Sequence, residues 1–358
     1  MTPNNLTRAE ATPAHTGRAQ MTRLVRAAVV SVVSLAMVTA VSGCGATNAL
    51  LGIHQGPKAT AASVPLTVEQ AKKVLSRTFT AAYLGETSPD AAVSGAQLRT
   101  AYTNEGLRGV TGRIKLASVQ PAVTSSPLQA PHPKLLAVSR GFGFPRFILA
   151  QTVAPAGLPT LHLLTSPDVA TPYRISMSVE MVPPATVKPF DPVAKGSPLL
   201  ANDGATSGLA VAPNALLNFY AEGMRFPTKP LPRPPFAADS FSGQLQAGAA
   251  GVAKAVETQA GFAQAHNVVP SSVHSVRQAN GDGLVFGVIE RTDSFAVRKG
   301  QSVNTAGNKA FVLLTGKALV TKSASITTLE FVVFAVPRST GQATLVGARE
   351  QIVDGSGS

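Results

Sequence analysis

One cysteine, Cys44, stands in 358 residues, so no intrachain disulfide can form and no multi-thiolate metal site can be built. Tryptophan is absent and tyrosine occurs only four times, which weighs against sugar recognition by ring stacking. Acidic residues are the scarcer charge, 18 against 31 basic, leaving a formal +13. Even so, no run of five or six lysines and arginines marks a nucleic-acid arm. No G-x-S-x-G occurs, nor an S-x-x-K with a supporting partner, so nucleophilic hydrolysis has no sequence support. The glycines of "EGLRGVTGRIK" and "GFGFP" do not open a helix after a strand as a phosphate loop must, and they read as turns.

What is present is a chain able to bury a core. Hydrophobic residues make up 44% and charged residues 14%, which argues against global disorder. The 27 prolines and 31 glycines predict many turns and some stiff connections. Removing residues 1–43 takes away four arginines and one glutamate, so +10 of the +13 belongs to the body. Such a surface suits anionic partners: acidic lipid, an acidic cell-wall polymer or an acidic protein.

The N-terminal region is built for export. In "MTRLVRAAVVSVVSLAMVTAVSGC", Arg23 and Arg26 form a positive start, Ala27 to Val41 a fifteen-residue apolar stretch, and Gly43 a small residue before a cut. Met21 is the expected start of translation. The apolar stretch is short of the ~20 residues that span hydrocarbon. Val41-Ser42-Gly43-Cys44 resembles the bacterial lipobox, in which the cysteine thiol receives a diacylglyceryl group and a dedicated peptidase cuts before it. The resemblance implies Val41, Ser42 and Gly43 as the peptidase recognition residues and Cys44 as the lipidation site. Residues 1–43 are then leader and signal peptide, and 44–66, rich in small residues, Gly and Pro, a flexible tether.

Two modules are expected beyond the tether. In residues 67–182, Val68, Ala71, Leu75, Phe79 and Ala82 step at helical spacing, with a Thr67–Gln70 capping box and Gly85 as a stop. A short helix over 90–103 and strands near 107–119, 134–140, 146–153 and 160–165 follow. "YRISMSVEM" alternates Tyr173, Ile175, Met177, Val179 and Met181 against Arg174, Ser176, Ser178 and Glu180, which predicts a half-exposed antiparallel strand. Residues 183–212 lose all period and read as a linker or long crossing loop.

In residues 213–353, helices are expected at 215–220 and 239–265, the latter on Leu245, Ala249, Val252, Val256, Ala260 and Ala263. Strands are expected at 271–278, 284–291, 309–316, 325–336 and 343–352, with a hairpin at "NGDG" and a tail at 354–358. Helices followed by antiparallel strands, twice over, predict an α+β fold of two tandem modules, each with a curved sheet. This order is similar to the NTF2-like and cystatin-like superfolds. Together with the lipobox and tether, it resembles secreted lipoproteins of high-GC actinobacteria.

Chemistry-bearing residues are dispersed. His15 and His54 fall in the leader and tether and His132 in a turn. With His162, His266 and His274 they offer no metal-ligand spacing, and no cofactor is expected. Glu180, Glu290, Asp293, Glu330 and Glu350 lie on or beside strands and read as solvated outer-face residues, while Arg146 and Arg174 read as caps on a sheet face. "RFPTKPLPRPPF", with five prolines and no acid, reads as a hinge between packed elements. The expected protein is a lipid-anchored extracytoplasmic one, not an enzyme, that binds a ligand or envelope partner and no nucleic acid. A pocket enzyme of the NTF2-like type and a structural envelope scaffold are the alternatives.

Overall fold

Thr67 and Gln70 open the first helix reciprocally: the Gln70 amide donates to the Thr67 hydroxyl at 3.2 Å and the Thr67 amide to Gln70 Oε1 at 2.8 Å. This box satisfies two of the amides that a helix start leaves without partners. The computed structural model describes residues 63–119, 132–153, 157–204 and 207–358. Val41, Ser42, Gly43 and Cys44, with the leader and nearly all the tether, lie outside the described residues.

Helix α1, Val68–Thr87, buries Ala71, Leu75, Phe79 and Ala82 as the spacing predicts. Gly85 does not stop it. A Cβ there would lie 2.8 Å from the Leu98 amide nitrogen, so this glycine lets α2, Ala91–Ala101, pack closely on α1. Helix α3, Asn104–Leu116, takes the place of the strand expected at 107–119. The glycines read as turns, Gly106, Gly109 and Gly112, form one ridge of this helix at spacing three. A Cβ on Gly106 would stand 2.6 Å from the Ile175 carbonyl oxygen, and one on Gly112 2.6 Å from that of Ile352. Tertiary contact thus outweighs the ~1 kcal/mol of helix propensity that each glycine gives up relative to alanine.

Gly106→Ala is accordingly expected to lower stability by about 1–3 kcal/mol, although alanine favours helix, because the added methyl meets backbone that cannot rotate away. Chemical denaturation measures this. A midpoint equal to or above that of the parent would show that α3 can back away from its neighbours.

Strands β1 (Lys134–Val138), β2 (Arg146–Val153), β3 (Pro159–Ser166) and β4 (Arg174–Glu180) form an antiparallel sheet in chain order. In the second half, α4 (Pro213–Gly223) and α5 (Ser240–Val256) precede β5 (Ala260–Val268), β6 (His274–Arg277) and β7 (Gly283–Val297). Helix α5 ends at Val256, and Ala260 and Ala263, expected on it, belong to β5. Then come β8 (Val303–Asn304), α6 (Lys309–Thr315), β9 (Leu319–Val320), β10 (Ser323–Val336) and β11 (Thr344–Gly357). Helix α6 replaces the strand expected at 309–316. The Asn308 side chain caps its start, and Gly316, left-handed at φ 68°, ends it. The second sheet is ordered β11-β10-β7-β5, with β6 also on β7 through the "NGDG" hairpin, where Gly281 takes φ +90°. "RFPTKPLPRPPF" joins α4 to α5, and bridges at Phe226–Gln264 and Phe236–Ala343 fix its ends.

The fold is α+β with antiparallel sheets, and its packing explains one wrong expectation. Met177 and Val179 of the first sheet meet Phe286, Val288, Leu329, Phe331 and Val333 of the second in one apolar layer. The opposite face of the first sheet carries Ile148, Leu164 and Ile175 against Leu75, Phe79 and Val110 of the helices. The opposite face of the second carries Val285, Ile289, Val332 and Phe334 against Leu216, Leu217 and Tyr220. The order is therefore helices, sheet, sheet, helices, within one compact unit, Ala59–Ser358. "YRISMSVEM" is covered on both faces and is not half-exposed. A bulge between Leu163 and Leu164 sets Ser176 out of register, so Ile175 faces the helices while Met177 and Val179 face the other sheet. One extra residue reverses the side-chain alternation beyond it. Residues 183–212 cross between the halves, bridging Ser197 to Ser139 and Leu199 to Val276.

Candidate functional site

Strand register gathers charges that the sequence leaves dispersed. His266 on β5 lies opposite Arg291 on β7, Arg291 opposite Thr328 on β10, and Glu330 opposite Glu350 on β11. Residues two apart on a strand share a face, so Gln264, His266, Arg291, Asp293 and Glu330 come together. Arg291 Nη1 donates to Glu330 Oε1 at 3.0 Å and to Glu350 Oε1, and its Nε stands 3.3 Å from Asp293 Oδ1. His266 Nε2 is 3.2 Å from Glu330 Oε1, and Gln264 Nε2 donates to Asp293 at 2.7 Å.

The side chains of Glu330 and His266 are 0% exposed, which corrects the solvated reading of Glu330. Burial works against the Arg291 charge, but Glu350, Asp293 and Glu330 more than offset it and hold the guanidinium above its ordinary value. Burial pushes the Glu350 carboxyl up, with Arg291 opposing. Glu290, also expected in solvent, points elsewhere and pairs with Arg108 of α3 at 2.8 Å. Arg146 stacks over Phe144, 4.1 Å from its ring centre, as a cap on the β1–β2 turn.

A second polar group sits where the two sheets meet. Met181, just past β4, bridges Gly347 of β11, and α3 lies across this seam. Tyr102, Gly106, Gly109, Val110, Arg113, Ser178, Phe331 and Arg349 line a cavity of about 30 Å³ there. Glu86 of α1, with only 3% of its side chain exposed, pairs with Arg113 Nη2 at 2.6 Å and accepts from the Tyr102 hydroxyl. Burial, then the Glu86 charge, raises the Tyr102 phenol well above its ordinary value. Burial, then the neighbouring Arg113, lowers Arg349.

His162 of β3 stands behind Ser178. Its Nδ1 is 2.9 Å from Ser178 Oγ and its Nε2 2.8 Å from Thr152 Oγ1. Burial, then Arg349, lowers its pKa to about 3, so the ring is neutral at pH 7. Neither Ser178 nor Arg349 is marked by a motif. Ser178 reads as an outer-face residue on the strand alternation, and Glu86, Arg113 and Arg349 belong to separate elements. The one available signal was the spacing of the α3 glycines, which on sequence alone reads as turns. Comparison with protein-family models, curated proteins and solved structures finds no match for the chain.

Proposed function

We propose that this chain is a lipid-anchored extracytoplasmic protein that binds a ligand or envelope partner and is not an enzyme. The observation that carries this reading is Val41-Ser42-Gly43-Cys44 directly after a fifteen-residue apolar stretch and two arginines. Acylation of Cys44 would add about 0.8 kcal/mol of membrane affinity per buried methylene, and two or three chains give stable anchoring. The packing weighs against a catalytic pocket between the layers, since apolar side chains fill the space on both faces of each sheet. The +13 charge suits acidic lipids, acidic wall polymers or acidic proteins.

On this reading each half is a module of the NTF2-like or cystatin-like kind, and the lipobox and tether ahead of them are those of a secreted lipoprotein similar to ones from high-GC actinobacteria. A pocket enzyme is the second reading, favoured by Glu330 beside His266. It is weakened by the complete burial of both side chains.

Cys44→Ser tests the anchor. The variant is expected to lose incorporation of a labelled fatty acid and to keep its signal peptide, read by mass of the exported chain. If the serine chain is still cut before residue 44 and remains labelled, the lipoprotein reading fails.

A further inference from the structure

Among the described residues around the β4–β11 seam, Arg349 has no counter-ion at contact distance, and neither has Glu180. The side-chain bond of Arg349 is a long one, 3.5 Å, to Gln351 Oε1. Glu86 is already held by Arg113 and Tyr102. Glu180, on β4, acts on Arg349 only through its field. Of the two guanidinium groups beside the cavity, Arg113 contacts a carboxylate, whereas Arg349 is offset only by the fields of Glu180 and Glu86. A partly buried cation without a partner is costly, and the cost is relieved when an anion enters. Arg113 Nε is also buried, without a partner among the described residues.

The neutral state of His162 has a consequence for Ser178. A neutral imidazole has one donor and one acceptor nitrogen. When the Thr152 hydroxyl donates to Nε2, Nδ1 carries the proton and donates to Ser178 Oγ. The Ser178 hydroxyl hydrogen is then available to the cavity that Ser178 lines.

We propose that this cavity binds one small monovalent anion, of the size of chloride, bromide or formate, between the Arg349 guanidinium and the Ser178 hydroxyl. Size sets the class. One water needs roughly 10–15 Å³ of such space, so about 30 Å³ admits a small ion and excludes a sugar or a nucleotide. Phe331, Val110 and the bare backbone at Gly106 and Gly109 line the cavity's other sides, with Tyr102 and Arg113. Because α3, β4 and β11 all contribute, occupancy would tighten the joint between the two sheets. The proposal stands whether or not Cys44 is lipidated.

Bromide is the probe, with gluconate, too large for the cavity, as the control at equal ionic strength. The thermal midpoint of the full chain in detergent is expected to rise saturably with bromide, by roughly 3 °C at ten times the dissociation constant. Arg349→Gln is expected to abolish that rise, and in gluconate to melt close to the parent, since it removes a cation that has no contacting counter-ion. A rise that is not saturable, or that Arg349→Gln retains, overturns the proposal.

Crystals of the unaltered chain grown with bromide give an answer that does not depend on any variant. An anomalous peak within hydrogen-bond distance of Arg349 and Ser178 upholds the site. Water at that position in saturating bromide overturns it.

Discussion

Arg291→Met is expected to lower the unfolding free energy by about 3–5 kcal/mol, the largest loss among single charge substitutions in the second sheet. Arg291 is the common partner of Glu330, Glu350 and Asp293. Without it, three carboxylates remain together on one sheet face, one of them with a wholly buried side chain. Glu330→Gln removes less. Arg291 keeps Glu350 and Asp293, and the amide oxygen can still accept, so a loss of about 1–3 kcal/mol is expected. The double change Arg291→Met with Glu330→Met should recover much of the single loss, because an apolar pair of similar volume avoids desolvation of both charges. Urea unfolding of the three variants measures the coupling. Losses that simply add would show that the two side chains act independently.

Acid is expected to weaken the fold through His162. In the unfolded chain this ring takes a proton as pH falls below about 6.5, whereas in the folded protein it stays neutral until about pH 3. The unfolded state therefore binds more protons throughout that window. The contribution of His162 is complete above about pH 6.5, declines as pH drops, and levels off below the folded value. Between pH 7 and pH 4 the expected decline is about 3 kcal/mol. His274, lowered to about 4 by burial, acts in the same direction, and its partial exposure reduces the effect. His162→Gln, compared with the parent across this range, separates the contribution of this ring from that of the carboxylates. The variant is expected to be less stable at pH 7 and to lose less on acidification. Parallel pH profiles for the two proteins would rule out a neutral His162 in the folded state.

Much of the framework can be read from local patterns. The Thr67–Gln70 cap, the apolar step along α1, the "NGDG" hairpin and the apolar runs of β2, β3 and β10 each follow from short-range chemistry. The errors share one cause. Residues 104–116 and 309–315 mix glycine or β-branched residues with apolar ones, so propensity does not choose between helix and strand, and neighbours decide. Helix α5 was expected to run on because its alanines continue at helical spacing. Pairing of 260–268 with β7 claims that segment for the sheet instead.

The two polar groups were less legible than the fold. Glu330 alternates with Leu329 and Phe331 as an outward residue would, and nothing in the sequence announces that α4 and α5 cover that face. Arg349 and Ser178 are 171 positions apart, and they meet only because β11 meets β4 at the seam that α3 crosses.

The sequence by itself determined the basic charge, the α+β composition and most strand positions, since each depends on composition or on residues close together in the chain. Only the tertiary structure decided that the two sheets share one core, that a bulge at Ser176 reverses the faces of β4, and that His266, Arg291 and Glu330 are neighbours. Those outcomes depend on which strands pair and in what register, and register is a property of distant segments packed against one another.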